Sequence, residues 1–60
     1  MDDYYVRDDR NAKVKLGPYD RAEAIRTAVM MNDFVRRNAG IEDEPFYTTH
    51  YVAALDLGKV

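Results

Sequence analysis

The stretch Leu16–Gly40, L-G-P-Y-D-R-A-E-A-I-R-T-A-V-M-M-N-D-F-V-R-R-N-A-G, decides the fold. No other segment is long and periodic enough to be a helix. Gly17-Pro18 ends whatever strand precedes it, because proline has no N–H for a ladder. Asp20 is placed to cap the helix, with its carboxylate accepting from the Glu23 N–H, and Asp20 with Glu23 makes a capping-box pattern. Asp20 also suits the first turn, where negative charge is favoured. The helix is expected from about Arg21 to Asn38. Arg36 and Arg37 suit the negative end of its dipole, and Gly40 is a natural C′ residue.

Placed at 100° steps, Ala22, Ile25, Ala28, Val29 and Val35 fall on one broad face, expected to lie on a sheet. Glu23, Arg26, Asp33 and Arg37 lie away from it. Met30 and Phe34 do not fit that stripe. They are neighbours one turn apart, on a face nearly opposite Ile25. Met31 lies between the two stripes.

Upstream, Tyr4 to Arg7 is aromatic and β-branched and favours strand. Asp8-Asp9-Arg10-Asn11 is turn material. Ala12 to Leu16, A-K-V-K-L, alternates with period two. Together they predict a β-hairpin. Ala12, Val14, Leu16 and Val6 are expected inward, with Tyr4 on the side of Val6. Tyr5, Arg7, Lys13 and Lys15 are expected outward. Downstream, Ile41-Glu42-Asp43-Glu44-Pro45 is an acidic loop closed by proline. Phe46 to Leu55 reads as a third strand, with Phe46, Val52 and Ala54 on one face and Tyr47, Tyr51 and Leu55 on the other. Asp56 to Val60 reads as a tail or a short continuation. The predicted architecture is a single two-layer α+β domain over residues 1–60. Its order is ββαβ, with a sheet of about three strands covered on one face by the helix. A right-handed crossover is expected to lay the third strand beside the hairpin, parallel to the second or first strand.

Sixty residues with no cysteine and one histidine bound the possibilities. A chain this short buries only about 60% of its unfolded surface. Without disulfides or a metal, association with a partner is a common source of stability. Eleven acidic against nine basic residues argue against a dedicated duplex-DNA binder, which carries a basic excess. No apolar run approaches the roughly 20 residues of a membrane span. The Met1-Asp2-Asp3 start is acidic where a signal peptide is basic. The expected setting is the cytoplasm, which the lack of cysteine also fits.

With Y-Y-V-R-D ahead, V-K-L-G-P-Y-D-R-A-E-A in the middle and Y-V-A-A-L behind, residues 4 to 55 resemble small accessory proteins of actinobacteriophages. Those read as a short strand, a Gly-Pro-aromatic turn, an Arg/Thr-x-x-Glu-Ala helix and a final strand. The resemblance implies a protein acting in a bacterial host's cytoplasm, where some such proteins bind and disable host or defence proteins. It assigns no functional residue. The Gly-Pro-aromatic and Glu-Ala element is also similar to one in SPOR domains, which need a second such unit and export. It is similar, too, to one in the arm-binding domains of tyrosine recombinases, which have three strands before the helix and a strongly basic sheet.

Two surfaces are candidates for function. Met30, Met31 and Phe34, with Thr27, form a patch suited to a protein partner or a second copy, because methionine and aromatic side chains adapt well to interfaces. A homodimer, or a complex with a host or phage protein, is the expected use. Tyr5, Arg7, Lys13 and Lys15, extended by Tyr47 and Tyr51 or by Thr48 and His50, set rings among cations on an open sheet. Single-stranded nucleic acid stacks on such faces; the plainer reading is a solvated face kept soluble by lysines. Asp8, Asp9 and Glu42-Asp43-Glu44 lack the EF-hand spacing and read as solvated loops. His50 beside Thr49 and Tyr51 suggests no triad. No phosphate loop or activated nucleophile is present, so no enzyme, cofactor or metal is expected.

Overall fold

The computed structural model describes residues 3–54 in four elements. They are β1 (Tyr4–Asp8), β2 (Asn11–Tyr19), α1 (Arg21–Ala39) and β3 (His50–Ala54), giving the α+β order ββαβ. Leu55 and the stretch 56–60, read above as strand end and tail, lie outside the described residues.

β1 and β2 pair antiparallel, with Val6 opposite Leu16 and Arg7 opposite Lys15. Tyr4 is opposite Tyr19, so one β1 residue faces the two β2 residues Gly17 and Pro18. This bulge is built on Gly17, whose φ is +126°, and a Cβ there would lie 2.9 Å from the Tyr4 carbonyl oxygen. Only glycine takes both that dihedral and that approach. β2 therefore runs on through Gly17-Pro18 to Tyr19 instead of ending at Leu16. It does so as an edge strand, where proline is tolerated.

The sheet order is β2-β1-β3, which makes β1 the central strand. β3 pairs antiparallel with β1, with Val6 opposite Val52 and Arg7 opposite Tyr51. It thus runs in the direction of β2 but is not adjacent to it, since β1 lies between the two. The expected parallel pairing is corrected on this point. The third strand is also shorter than expected. Two successive turns precede it, with Glu44 N–H donating to Ile41 O and Tyr47 N–H to Glu44 O. They keep Phe46–Tyr47 out of the ladder, and Phe46 is 94% exposed.

The helix lies on one sheet face, and among the described residues no second layer covers the other. Asp20 caps it, its Oδ1 accepting from Glu23 N–H at 2.8 Å. Gly40 closes it in the left-handed region at φ 72°, and Ile41 N–H donates to Arg36 O at 2.9 Å. The core is small: Val6, Ala24 and Ala28, with Tyr4, Leu16, Tyr19 and Val52 packed against them. The buried stripe of α1 is Ala24, Ala28 and Asn32, flanked by half-buried Thr27, Met31, Val35 and Arg36. It is turned by roughly 60° from the stripe expected above. Ala22, Ile25 and Val29 are exposed. Two alanines let the helix axis approach the sheet closely, and the hydrogen bonds of Asn32 fix its rotation. The larger side chains are left on the flanks. Ala12, expected inward, is also exposed. The pairing slips between Arg7 and Asp8, which puts Ala12 beside the hairpin end, beyond the core.

Candidate functional site

Because the helix rests on Ala24, Ala28 and Asn32, its two flanks carry its bulk. Ile25 and Val29 lie on one, Met30 and Phe34 on the other. The first flank is partly occupied at its C-terminal end by the β3 approach. There Arg36 Nη1 donates to Tyr47 O at 2.9 Å, while Arg36 Nη2 pairs with Asp33 Oδ1 at 2.7 Å. The second flank stands open: Met30 is 62% and Phe34 60% exposed. Of the four residues expected on this patch, Met30 and Phe34 point outward. Thr27 and Met31 are half-buried where the flank meets the sheet, and the Thr27 hydroxyl donates to Glu23 O at 2.9 Å. Methionine is flexible and polarisable, so the pair forms an adaptable apolar contact surface. Glu23, Arg26 and Arg37 border it and are exposed.

The outer sheet face brings together Tyr5, Arg7, Lys15 and Tyr51. Lys15, Arg7 and Tyr51 form one row across the three strands, since directly opposed residues share a face. Lys15 Nζ sits 4.3 Å from the Tyr5 ring centroid, a cation–π distance. Arg7 is half-buried, and its Nη2 donates to Ala12 O at 3.1 Å. Its guanidinium is thus partly committed within the chain. Lys13 is exposed farther along β2. Tyr51 extends this face, and Tyr47 is exposed in the preceding loop. His50 does not extend it, because it is buried on the opposite face.

A buried polar cluster that the apolar pattern of the sequence does not announce surrounds His50. Asn32 Oδ1 accepts from Thr49 N–H at 3.0 Å and from His50 N–H at 2.8 Å, and its Nδ2 donates to His50 O at 3.2 Å. Thr49 Oγ1 is 3.0 Å from His50 Nδ1, and His50 Nε2 is 3.7 Å from Asp8 Oδ2. Asp8, read as a solvated turn residue, belongs to β1 and accepts the Arg10 N–H at 2.9 Å. Hydroxyl, imidazole and carboxylate are thus neighbours in sequence of contact, and Thr49 is only 4% exposed. With Asn32, Thr49 and His50 all buried, the cluster ties β1, β3 and α1 together. One sequence signal pointed to it: an asparagine four residues after Ala28, on the alanine side of the helix.

The acidic residues Glu42, Asp43 and Glu44 are exposed. Among the described residues no group of three or more metal-ligating side chains converges. Likewise, no helix among them is long and apolar enough to cross a membrane. No family model, no curated protein and no solved structure matches this chain.

Proposed function

We propose that the protein is a small non-enzymatic protein–protein interaction module that uses the Met30/Phe34 flank of α1 as its contact surface. One observation carries this reading. The helix buries two alanines and an asparagine, while Met30 and Phe34 stand together largely in solvent. Single exposed apolar residues are ordinary, whereas an adjacent apolar pair on one helix flank supports reading that flank as a contact surface. The module acts by occupying a partner rather than by chemistry. A phage or host protein in a bacterial cytoplasm is the partner class that the actinobacteriophage resemblance suggests.

The test compares proteins retained by immobilised wild-type chain, Met30→Asp, Phe34→Asp and Lys13→Ala. Loss of the same retained species from both helix variants, with Lys13→Ala unaffected, is expected. Equal retention by all four removes the surface.

A second reading rests on the Lys15–Arg7–Tyr51 row with Tyr5 beside it, a face that single-stranded nucleic acid can stack on. Oligonucleotide titration at two salt concentrations tests it. Binding that weakens with salt and with Lys13→Ala supports it, and no binding at low salt dismisses it.

A further inference from the structure

We propose that the occupant of the Met30/Phe34 flank is a second copy of this chain, docked helix against helix in antiparallel orientation about a two-fold axis near Met30. This rests on the reading of that flank as a protein-binding surface and goes beyond it by naming the partner and the register.

Glu23, Thr27, Met30, Phe34 and Arg37 follow one another at steps of four, three, four and three residues. That alternation keeps a single seam facing a neighbouring helix. The seam is apolar in its middle, at Met30 and Phe34, and charged with opposite signs at its two ends. Glu23 and Arg37 are each seven residues from Met30, about 10 Å along the axis.

A two-fold axis perpendicular to the helix at Met30 therefore sets Glu23 at the height of Arg37 of the second copy, and repeats that pair by symmetry. It also sets Arg26 close to the height of Asp33 of the second copy, again twice. Glu23, Arg26 and Arg37 then each stand near an opposite charge of the second copy, while Asp33 keeps its 2.7 Å pair with Arg36. A parallel pairing would instead set Glu23 on Glu23 and Arg37 on Arg37. The charges select the antiparallel arrangement, while the apolar centre supplies the attraction that opposes the entropy of association. Among the described residues, the Arg37 side chain makes a long 4.0 Å contact to Asp33 and is 67% exposed. Little must be broken for it to turn to a neighbour.

The experiment is sedimentation equilibrium on the full chain at ~20 mM and ~150 mM salt, with circular dichroism to confirm that each variant is folded. Wild type is expected to be dimeric and Met30→Asp monomeric. Glu23→Arg alone and Arg37→Glu alone should each weaken the dimer by roughly tenfold at low salt. The double variant Glu23→Arg/Arg37→Glu should recover wild-type affinity. The recovery separates register from folding. Each single change also disfavours its own end of the helix dipole, and that damage would add in the double variant rather than cancel.

A wild type monomeric at ~1 mM, a Met30→Asp protein that stays dimeric, or a double variant weaker than either single one each overturns the proposal. If a monomeric wild type still forms adducts with a different protein through a photocrosslinker at position 34, the second copy is wrong and the protein-binding reading stands. A monomer with no adducts there overturns both.

Discussion

Asn32 on the helix and His50 at the start of β3 are joined by both backbone groups of the histidine. The His50 N–H donates to Asn32 Oδ1 at 2.8 Å, and its carbonyl accepts from Asn32 Nδ2 at 3.2 Å. The same Oδ1 takes the Thr49 N–H at 3.0 Å. One buried side chain thus satisfies three backbone groups at the point where the loop becomes strand. Asn32→Leu is expected to leave two buried N–H donors unpaired and to cost about 2–4 kcal/mol. Asn32→Asp keeps the acceptor and should cost less. Urea melts of the two variants check the order. For a domain expected to hold only about 3–9 kcal/mol, the leucine variant approaches global unfolding.

The bulge at Gly17 gives a second expectation. At φ +126°, with Tyr4 O 2.9 Å from a built Cβ, Gly17→Ala is strained both in its dihedral and in its space. A loss of about 1–3 kcal/mol is expected, read as a lower thermal midpoint. A substitution tolerated there without loss would contradict the bulge register.

Arg36 ties the helix to the loop before β3 through Tyr47 O at 2.9 Å. Its side chain is largely buried, and Asp33 lies 2.7 Å away on the same residue's other nitrogen. Arg36→Lys keeps the charge but loses the fork that reaches both partners. Faster amide exchange at Thr49 and at Asp9, whose N–H donates to Thr49 O, is the expected result, with a stability loss of about 1 kcal/mol.

The outer sheet face supplies a prediction about what should not matter. Lys13→Ala removes a charge from a solvated face, so stability should change by no more than about 0.5 kcal/mol, and Lys15→Ala, which also loses the contact to the Tyr5 ring, by about 0.5–1 kcal/mol. Protein binding through the helix flank should be unchanged. Loss of protein binding in these variants would move the contact surface to the sheet.

The sequence pattern disclosed most of the fold and only part of the surface. Asp20 and Gly40 marked the helix ends because capping is local chemistry, and the Lys13/Lys15 alternation marked the hairpin for the same reason. The rotation of the helix was not legible. Angle alone favoured Ile25 and Val29 for the core, whereas Ala24, Ala28 and Asn32 are what touch the sheet. Small residues win there because they allow close approach, and Asn32 wins because β3 needs its amide. Both are properties of the packed neighbour, invisible in the helix itself. Met30 and Phe34 were legible as exposed because they lie nearly opposite Ile25, and a turn of the helix by roughly 60° toward Ala24 still leaves them outside its buried stripe. β3 lies beside the hairpin as expected, but it pairs with β1 in the antiparallel sense, a choice of edge and direction that no residue of β3 encodes locally.

If the Met30/Phe34 flank is covered by protein in the cell, a photocrosslinker placed at position 34 captures that protein. The same group at position 46 serves as control, because Phe46 is even more exposed at 94% against 60% for Phe34 and lies on the loop. The account predicts discrete protein adducts, including the chain with itself, from position 34 and none from position 46. Adducts of equal yield from both positions, or from position 46 alone, would contradict it.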